Sequence, residues 1–499
     1  MEIELIVNLI LALSNVFLVK KFVHIFQLKS YSTVRYFGYI IKKQIAPILC
    51  YLFALIICLF VKFWIVWLGL YILCSAVCWW FTLHINKTNK TPLVKTKKTK
   101  RLIAISCVVC VLCGAFKFGY LISCLIINFV PIIANAINLV DIVKNNHYIR
   151  LAKQKLKNCK CKVIAITGSN GKTSVKNILQ KMLETKYFCQ CTPSSYNTPL
   201  GISKFINESL SNTTQFLILE YGARHVGDIK KLTKLFGADY GIVTTIAPQH
   251  MQTFKTINNI VKAKQQLPAF LGKKMCVFNL DNIFTQKMAQ EKQGKKMCVS
   301  KNIKTDIYAT DIKIDNFKTT FKVNTAYTQF DVSTCLLGRH NITNILLASA
   351  LALHLGVAPQ NLQTAIQNLT YTPHRLELVK THINILDDSY NCSLSSAKEA
   401  LDVLSKCTGK KMIVTPGIIE GGKKEKELNF TLGKWCAKAD FVVFVNKHNR
   451  QSLTDGLISV DATKKVLFAD TLEQAKQHFK LLNSGDTLLL LNDLPDDYT

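Results

Sequence analysis

Acid is what this chain is short of. Against 63 lysines and arginines stand 31 aspartates and glutamates, a formal net charge of +32 over 499 residues. The imbalance points to anionic partners such as nucleotides, anionic lipid or nucleic acid. A lysine-rich compositional bias produces the same excess. Two separated C-x-x-C pairs, the CxxC…CxxC arrangement, are missing too, although there are 18 cysteines. That excludes a zinc ribbon, and the C-x-C of Cys159 and Cys161 is a weak metal signal. Several cysteines lie within apolar runs, where a thiol behaves as a small hydrophobe. The thiols therefore read as reduced and the soluble part as cytosolic. The start of the chain lacks the basic leader and small-residue cleavage site of a signal peptide, and opens with Glu2 and Glu4.

Apolar residues, by contrast, crowd the first 145 positions. Runs cover Leu5–Val19, Ile45–Phe60, Phe63–Ile85, Leu102–Phe116 and Phe118–Val140. Each approaches the roughly 17–25 residues that a helix needs to cross a bilayer. Lys20, Lys21, Lys29, Arg35, Lys42 and Lys43 separate the first two runs, and Lys87 to Arg101 is a second basic stretch. Basic loops stay in the cytoplasm, so five spans are expected, in a multi-pass cytoplasmic-membrane protein whose catalytic domains face the cytosol. Fewer spans, with one run re-entrant, is the alternative. The runs hold almost no ionisable residues, which excludes a visible transport path. Basic residues at such loops suit anionic lipid better than nucleic acid.

The chemistry begins at "VIAITGSNGKTSVKNILQ", Val163 to Gln180. A β-branched apolar stretch reads as a buried parallel strand. Gly168, Ser169, Asn170 and Gly171 form a turn, and Lys172, Thr173 and Ser174 open a helix. Glycines let the backbone approach an anion, and the N–H groups of the helix start point at it. Lys172 suits the outer phosphates and the Thr173 hydroxyl suits Mg²⁺. The first glycine of the usual longer loop is absent, with Ile166 in its place.

This shortened loop resembles the ATP loop of the Mur ligase family, and the rest of the chain from about residue 150 agrees in order. "SSYNTPLGIS" resembles the segment near substrate and γ-phosphate, which places Asn197 and Thr198 there. "LILEYGARHVGDI" ends a strand at Glu220, matching the family's carboxylate for Mg²⁺. "IVTTIAPQHM" ends near His250, matching a histidine at a second metal. "IVKAKQQL" matches the helix whose lysine is carbamylated, with Lys264 in that place. Singly, each of these three has an ordinary reading, as a surface carboxylate, a loop histidine or a solvated lysine. "LLGRHNITNILLASALALHLGV" puts Asn344 where the family contacts adenine, while Asn341 suits an N-cap. "TPHRLELV" places Arg375 at ATP. "ILDDSYNCSLSSAKEAL" carries Asp388 at the ribose and Ser389, Tyr390 and Asn391 at substrate. Its D-D-S-Y-N form resembles the branch that adds D-alanyl-D-alanine. "MIVTPGIIEGG" resembles the same branch but departs at Gly421.

The resemblance implies an α/β fold. A transmembrane region (1–145) would precede a central P-loop ATPase domain with a parallel sheet (146–373) and a C-terminal Rossmann-like domain (374–499). It implies ATP, two Mg²⁺ ions and an acyl-phosphate route to a peptide bond on a muramoyl-tripeptide. Lys172, Glu220, His250 and Lys264 would be catalytic, with Thr173, Glu220, His250 and Lys264 at metal. Expected partners are the cell-wall precursor, the dipeptide, membrane lipid and envelope-synthesis proteins. The family's soluble first domain has no counterpart in the sequence. Two rivals stand: a membrane-bound ligase of another envelope peptide or γ-linked polymer, and a non-catalytic ATP-binding scaffold.

Overall fold

The computed structural model describes the chain except for residues 1–17, 29–30, 32, most of 61–95, 115–129, 194–195, 250, 316, 391–392, 420–423, 462, 464–465 and 493–499. It divides into a unit ending at Asn146 and a second unit, His147–Tyr498.

The first unit is helical, with helices over Thr33–Phe60 and Lys97–Gly114 and the start of Val130–Cys159. Leu18, Phe22, Phe26, Tyr36, Ile40, Leu102 and Val130 form its buried cluster. Phe26 meets Tyr36 edge-on at 5.4 Å, a favourable ring geometry. Each helix is interrupted by charge. Arg35, Lys42 and Lys43 occupy the first half of Thr33–Phe60. The helix from Lys97 becomes apolar only after Arg101 and is described as far as Gly114. Asp141 and Lys144 follow soon after Val130. Among the described residues no helix is long and apolar enough to cross a membrane. A span needs about 20 mainly apolar residues, and the uninterrupted stretches among the described residues of these helices fall short of that. This overturns the expectation of five N-terminal transmembrane helices, and with it the multi-pass membrane location. The runs Leu5–Val19, Phe63–Ile85 and Phe118–Val140 lie largely outside the described residues.

The second unit carries two sheets. The first contains β1 (Lys162–Thr167), β2 (Cys189–Cys191), β3 (Phe216–Glu220), β4 (Tyr240–Val243), β5 (Cys276–Asn279), β6 (Lys296–Ser300), β7 (Ile307–Asp315), β8 (Lys318–Thr325) and β9 (Gln329–Thr334). Among the described residues their order is β2-β3-β1-β4-β5-β6-β7-β8-β9. Pairing is parallel as far as β7, then antiparallel through β8 and β9. β1 is buried from Val163 onward, as its β-branched run requires of a central strand. The chain runs to one side of β1 with β3 and to the other with β4, so the crevice at the carboxyl end of β1 is the topological switch point where such sheets bind ligands.

Helices cover both faces. Val175, Ile178, Leu179, Met182 and Leu183 form the buried stripe of the helix Lys172–Leu183, at helical spacing. They pack in one core with the helix Arg339–His354, which is buried from Asn341 to Ala352. On the other face the helix Ile257–Leu271 starts at Thr256, whose side chain accepts from Asn259 N–H.

The second sheet contains β10 (Glu377–Lys380), β11 (Asn384–Asp388), β12 (Lys411–Thr415), β13 (Phe441–Val445), β14 (Val466–Ala469) and β15 (Thr487–Leu491). Their order is β10-β11-β15-β12-β13-β14, with β10 antiparallel to β11 and the other pairs parallel. Its helices Glu425–Cys436 and Arg450–Ile458 touch backbone to backbone through glycines. A Cβ on Gly433 would lie 2.1 Å from Leu453 C=O, and one on Gly456 1.9 Å from Phe430 C=O. Alanine at Gly456 would gain up to about 1 kcal/mol of helix propensity. Overpacking against a carbonyl that cannot rotate away costs about 1–3 kcal/mol, so the clash wins. Gly456→Ala is expected to lower the thermal midpoint in scanning calorimetry, and an unchanged or higher midpoint would refute the contact.

Candidate functional site

The turn after β1 is held in one shape by its neighbours. Gly168 and Gly171 have φ of 151° and 83°, where a side chain is strained. A Cβ on Gly168 would stand 1.9 Å from Thr244 Oγ1, and one on Gly171 2.6 Å from Asn344 Oδ1. The end of β4 braces the turn. Ser169 N–H donates to Thr245 C=O (2.6 Å), Ser169 Oγ to Ala247 C=O (2.9 Å) and Thr244 Oγ1 to Asn170 C=O (2.6 Å). Lys172 folds back over the turn and donates from Nζ to Gly168 C=O (2.9 Å) and Ser169 C=O (2.7 Å). Burial lowers its pKa; Glu220 opposes that shift and Arg375 adds to it. No side chain caps the helix that starts at Gly171. Its first N–H groups are left to an anion, favoured there by the helix dipole.

Glu220 ends β3 directly across from Ile166 of β1 and is buried. Both its oxygens are engaged: Thr173 Oγ1 donates to Oε2 at 2.8 Å and Asn197 Nδ2 to Oε1 at 3.0 Å. Asn197 is itself fixed, its carbonyl accepting from Gly222 N–H at 3.2 Å. A hydroxyl and a carboxylate this close are hard oxygen donors of the kind Mg²⁺ takes. Lys264 lies on the buried stripe of its helix, beside Ile260, Ala263 and Leu267. Burial brings its pKa down to about 7, helped by nearby Lys172 and opposed by Glu220 and Asp228. Lys172, Thr173, Asn197, Glu220, Lys264 and Arg375 line one cavity of about 280 Å³.

The second sheet closes this site from above. Arg375 lies between His374 and Leu376, both left-handed with φ of 59° and 50°. Its guanidinium rests 4.3 Å from the centre of the Tyr390 ring, a cation–π contact. Arg375 also lines a second cavity of about 190 Å³, with Ser174, Asn177, Asn341, Tyr371 and Thr372. Asp388 accepts from Leu376 N–H at 3.1 Å, and burial raises its carboxyl to about 7 against the pull of that bond and of Arg375. Asn170 Nδ2 reaches Ser393 Oγ at 3.5 Å, joining the turn to the helix after β11. His374, Glu377 and Asp387 bring ligand-type atoms within 4.8 Å of one another. Glu377 and Asp387 are facing partners on β10 and β11, and His374 Nδ1 lies 2.8 Å from Asp387, so the group reads as a hydrogen-bonded corner of that ladder.

The structure thus brings Ser169, Asn170, Gly171, Lys172, Thr173, Asn197, Glu220, Lys264, Arg375 and Tyr390 to one cavity, while Gly168 sits behind it against Thr244. Ser174 faces the second cavity instead. Asn344 is buried behind Gly171, bonded to Asn341 Oδ1, and Asn341 is the asparagine that lines the second cavity. Neither asparagine caps its helix, which starts at Gly338. Thr198 spends its hydroxyl capping the helix Pro199–Ser209. Ser389 donates its N–H to Asp387 at 3.0 Å. His250, Asn391 and the departure at Gly421 lie outside the described residues. Sequence reasoning missed Thr244, whose signal was a hydroxyl at the carboxyl end of an apolar strand, and Thr245, which braces the turn through its backbone carbonyl and so left no side-chain signal.

Comparison with known proteins agrees with this geometry. The Mur ligase middle domain matches residues 166–352, and the Mur ligase glutamate ligase domain matches 374–492. The UDP-N-acetylmuramoyl-tripeptide–D-alanyl-D-alanine ligase of Bacillus subtilis is 28% identical over 310 residues, covering 57% of this chain and 62% of the relative. The enzyme of that name from Escherichia coli is 29% identical over 296 residues, covering 58% and 65%. The chain therefore spans somewhat less than two thirds of the length of these relatives. In fold it is similar to MurF from Acinetobacter baumannii, with a TM-score of 0.63 at 24% identity over 70% of this chain and 77% of that one. The MurF ligase of Thermotoga maritima in complex with ADP gives 0.63 at 23% identity, over 70% and 80%. By its two matched domains and the order of its sheets, this chain belongs to the Mur ligase family.

Proposed function

We propose that this chain is an ATP-dependent amide-bond ligase that adds D-alanyl-D-alanine to a muramoyl-tripeptide of a cell-wall precursor. One observation carries the chemistry: Glu220 is held between Thr173 and Asn197 in the same cavity as Lys172, Lys264 and Arg375. The choice of substrates is supported by the relatives of that name and by the D-D-S-Y-N stretch, whose Tyr390 lines the cavity with Ser389 and Asn391 beside it in sequence.

A carboxylate is a poor electrophile. Its oxygen attacks the γ-phosphorus of ATP, ADP leaves, and the amine of the dipeptide then displaces phosphate from the acyl carbon and releases a proton. Lys172 and the free N–H groups after Gly171 hold the phosphate end. Ser174, Asn177, Asn341 and Tyr371 line the space for the base, and Asp388 stands for the ribose. Arg375 borders both cavities and so reads both ends of the nucleotide. Mg²⁺ on Thr173 and Glu220 would neutralise charge between phosphate oxygens. Residues of the second sheet complete the site, so closure of that domain excludes water.

Incubation with ATP, Mg²⁺, D-alanyl-D-alanine and UDP-linked muramoyl-tripeptide should give the pentapeptide by mass spectrometry. Lys172→Ala should lower its rate by about 100-fold or more, the scale of removing a preorganised charge donor. ATP turnover indifferent to both acceptor and dipeptide would overturn the ligase reading.

Lys264 serves as a carbamate in this reading, which turns a cation into a carboxylate-like ligand beside Glu220. Only the neutral amine attacks CO₂. With its pKa brought down to about 7, the neutral fraction rises as pH climbs through 7 rather than near 10.5. Carbamate formation, followed by NMR with isotopically labelled bicarbonate, should therefore rise between about pH 6 and 8 and vanish in Lys264→Ala. A signal absent throughout, or unchanged in that variant, would remove the carbamate.

A further inference from the structure

Lys176 lies one turn beyond Lys172, on the core side of its helix, and is 0% exposed. A buried ammonium is unfavourable unless it is bonded. Burial lowers its pKa, while Cys191 and Glu220 pull the other way and Arg375 adds to the lowering. Its Nζ donates to Thr192 C=O at 2.5 Å. Thr192 is also fully buried, at the point where the chain leaves β2. The ladder is failing there, since Thr192 N–H lies 3.4 Å from Ile218 C=O. From that point the chain runs to Asn197, which holds Glu220 Oε1, and to Thr198, which caps the next helix.

We propose that Lys176 is a positioning residue for Glu220, a role none of the site residues above fills. By holding the Thr192 carbonyl it sets where the chain leaves the sheet after β2, and so where Asn197, five residues on, meets the carboxylate. An apolar side chain would fill the same core volume but could not take over from the fading ladder. The purpose of the pin rests on the ligase reading, whereas the pin itself rests on this chain's contacts alone.

Lys176→Met keeps an unbranched stem and removes the donor. Hydrogen exchange at residues 196–198 should then quicken by about tenfold or more, while β1 and the core of the helix Lys172–Leu183 keep their protection. The thermal midpoint should not fall, because a buried charge has been removed. Lys176→Gln, which retains a donor, should recover part of the protection, and it serves if the methionine variant does not fold. In ATP turnover, Lys176→Met should raise the Mg²⁺ needed for half-activation and leave the KM for ATP at saturating Mg²⁺ unchanged. Adding Asn197→Ala should raise that requirement little further, because both act on one carboxylate. Unchanged exchange at 196–198, or fully additive Mg²⁺ effects, would overturn the proposal. Wild-type protein without ATP turnover would refute the ligase reading instead, and the exchange result would still decide the pin.

Discussion

The site depends on the parallel pairing of β1 with β3. Register fixes Ile166 opposite Glu220, so the last residue of one strand arrives beside the turn that ends the other. A slip of one residue would send Glu220 to the opposite face and leave Thr173 without its acceptor. Everything else is arranged around that pair. The residues after β4 brace the turn from the far side through Thr244 and Thr245, and Asn197 reaches the other carboxylate oxygen.

Charge at the site is deliberately uneven. Lys172, Lys264 and Arg375 share a cavity with one buried carboxylate, and Lys176 lies close enough for its field to be felt. Burial opposes each buried ammonium, which is why the pKa values of Lys172, Lys176 and Lys264 all fall. A polyanion relieves that imbalance where water cannot, because its charges enter the low-dielectric space along with its phosphates. The same excess, seen as bulk composition, had several readings; at this cavity it has a specific one.

Much of this was legible in the sequence. The β-branched run before Gly168 announced a buried strand, which is β1. Lys264 was legible through the resemblance alone, and its place on the buried stripe of its helix excludes the solvated reading. Less was legible where one residue type serves two ends. Asn341 and Asn344 both open one helix, and only the packing of Gly171 shows which is enclosed. Thr198 was legible as part of a motif but not as a cap. The apolar N-terminal runs misled because an apolar run and a helix need not share their ends. In the described helices, charged residues share the same segments.

Lys172 bonded to the carbonyls of its own turn has a kinetic consequence. The turn is already ordered by Thr244, Thr245 and that lysine, so its conformational entropy was given up when the chain folded. An arriving phosphate exchanges hydrogen-bond partners with Lys172 and does not have to recruit a loose loop. Capture is then set by diffusion and by the long-range pull of the basic cavity, and residence by how readily the lysine returns to its own carbonyls.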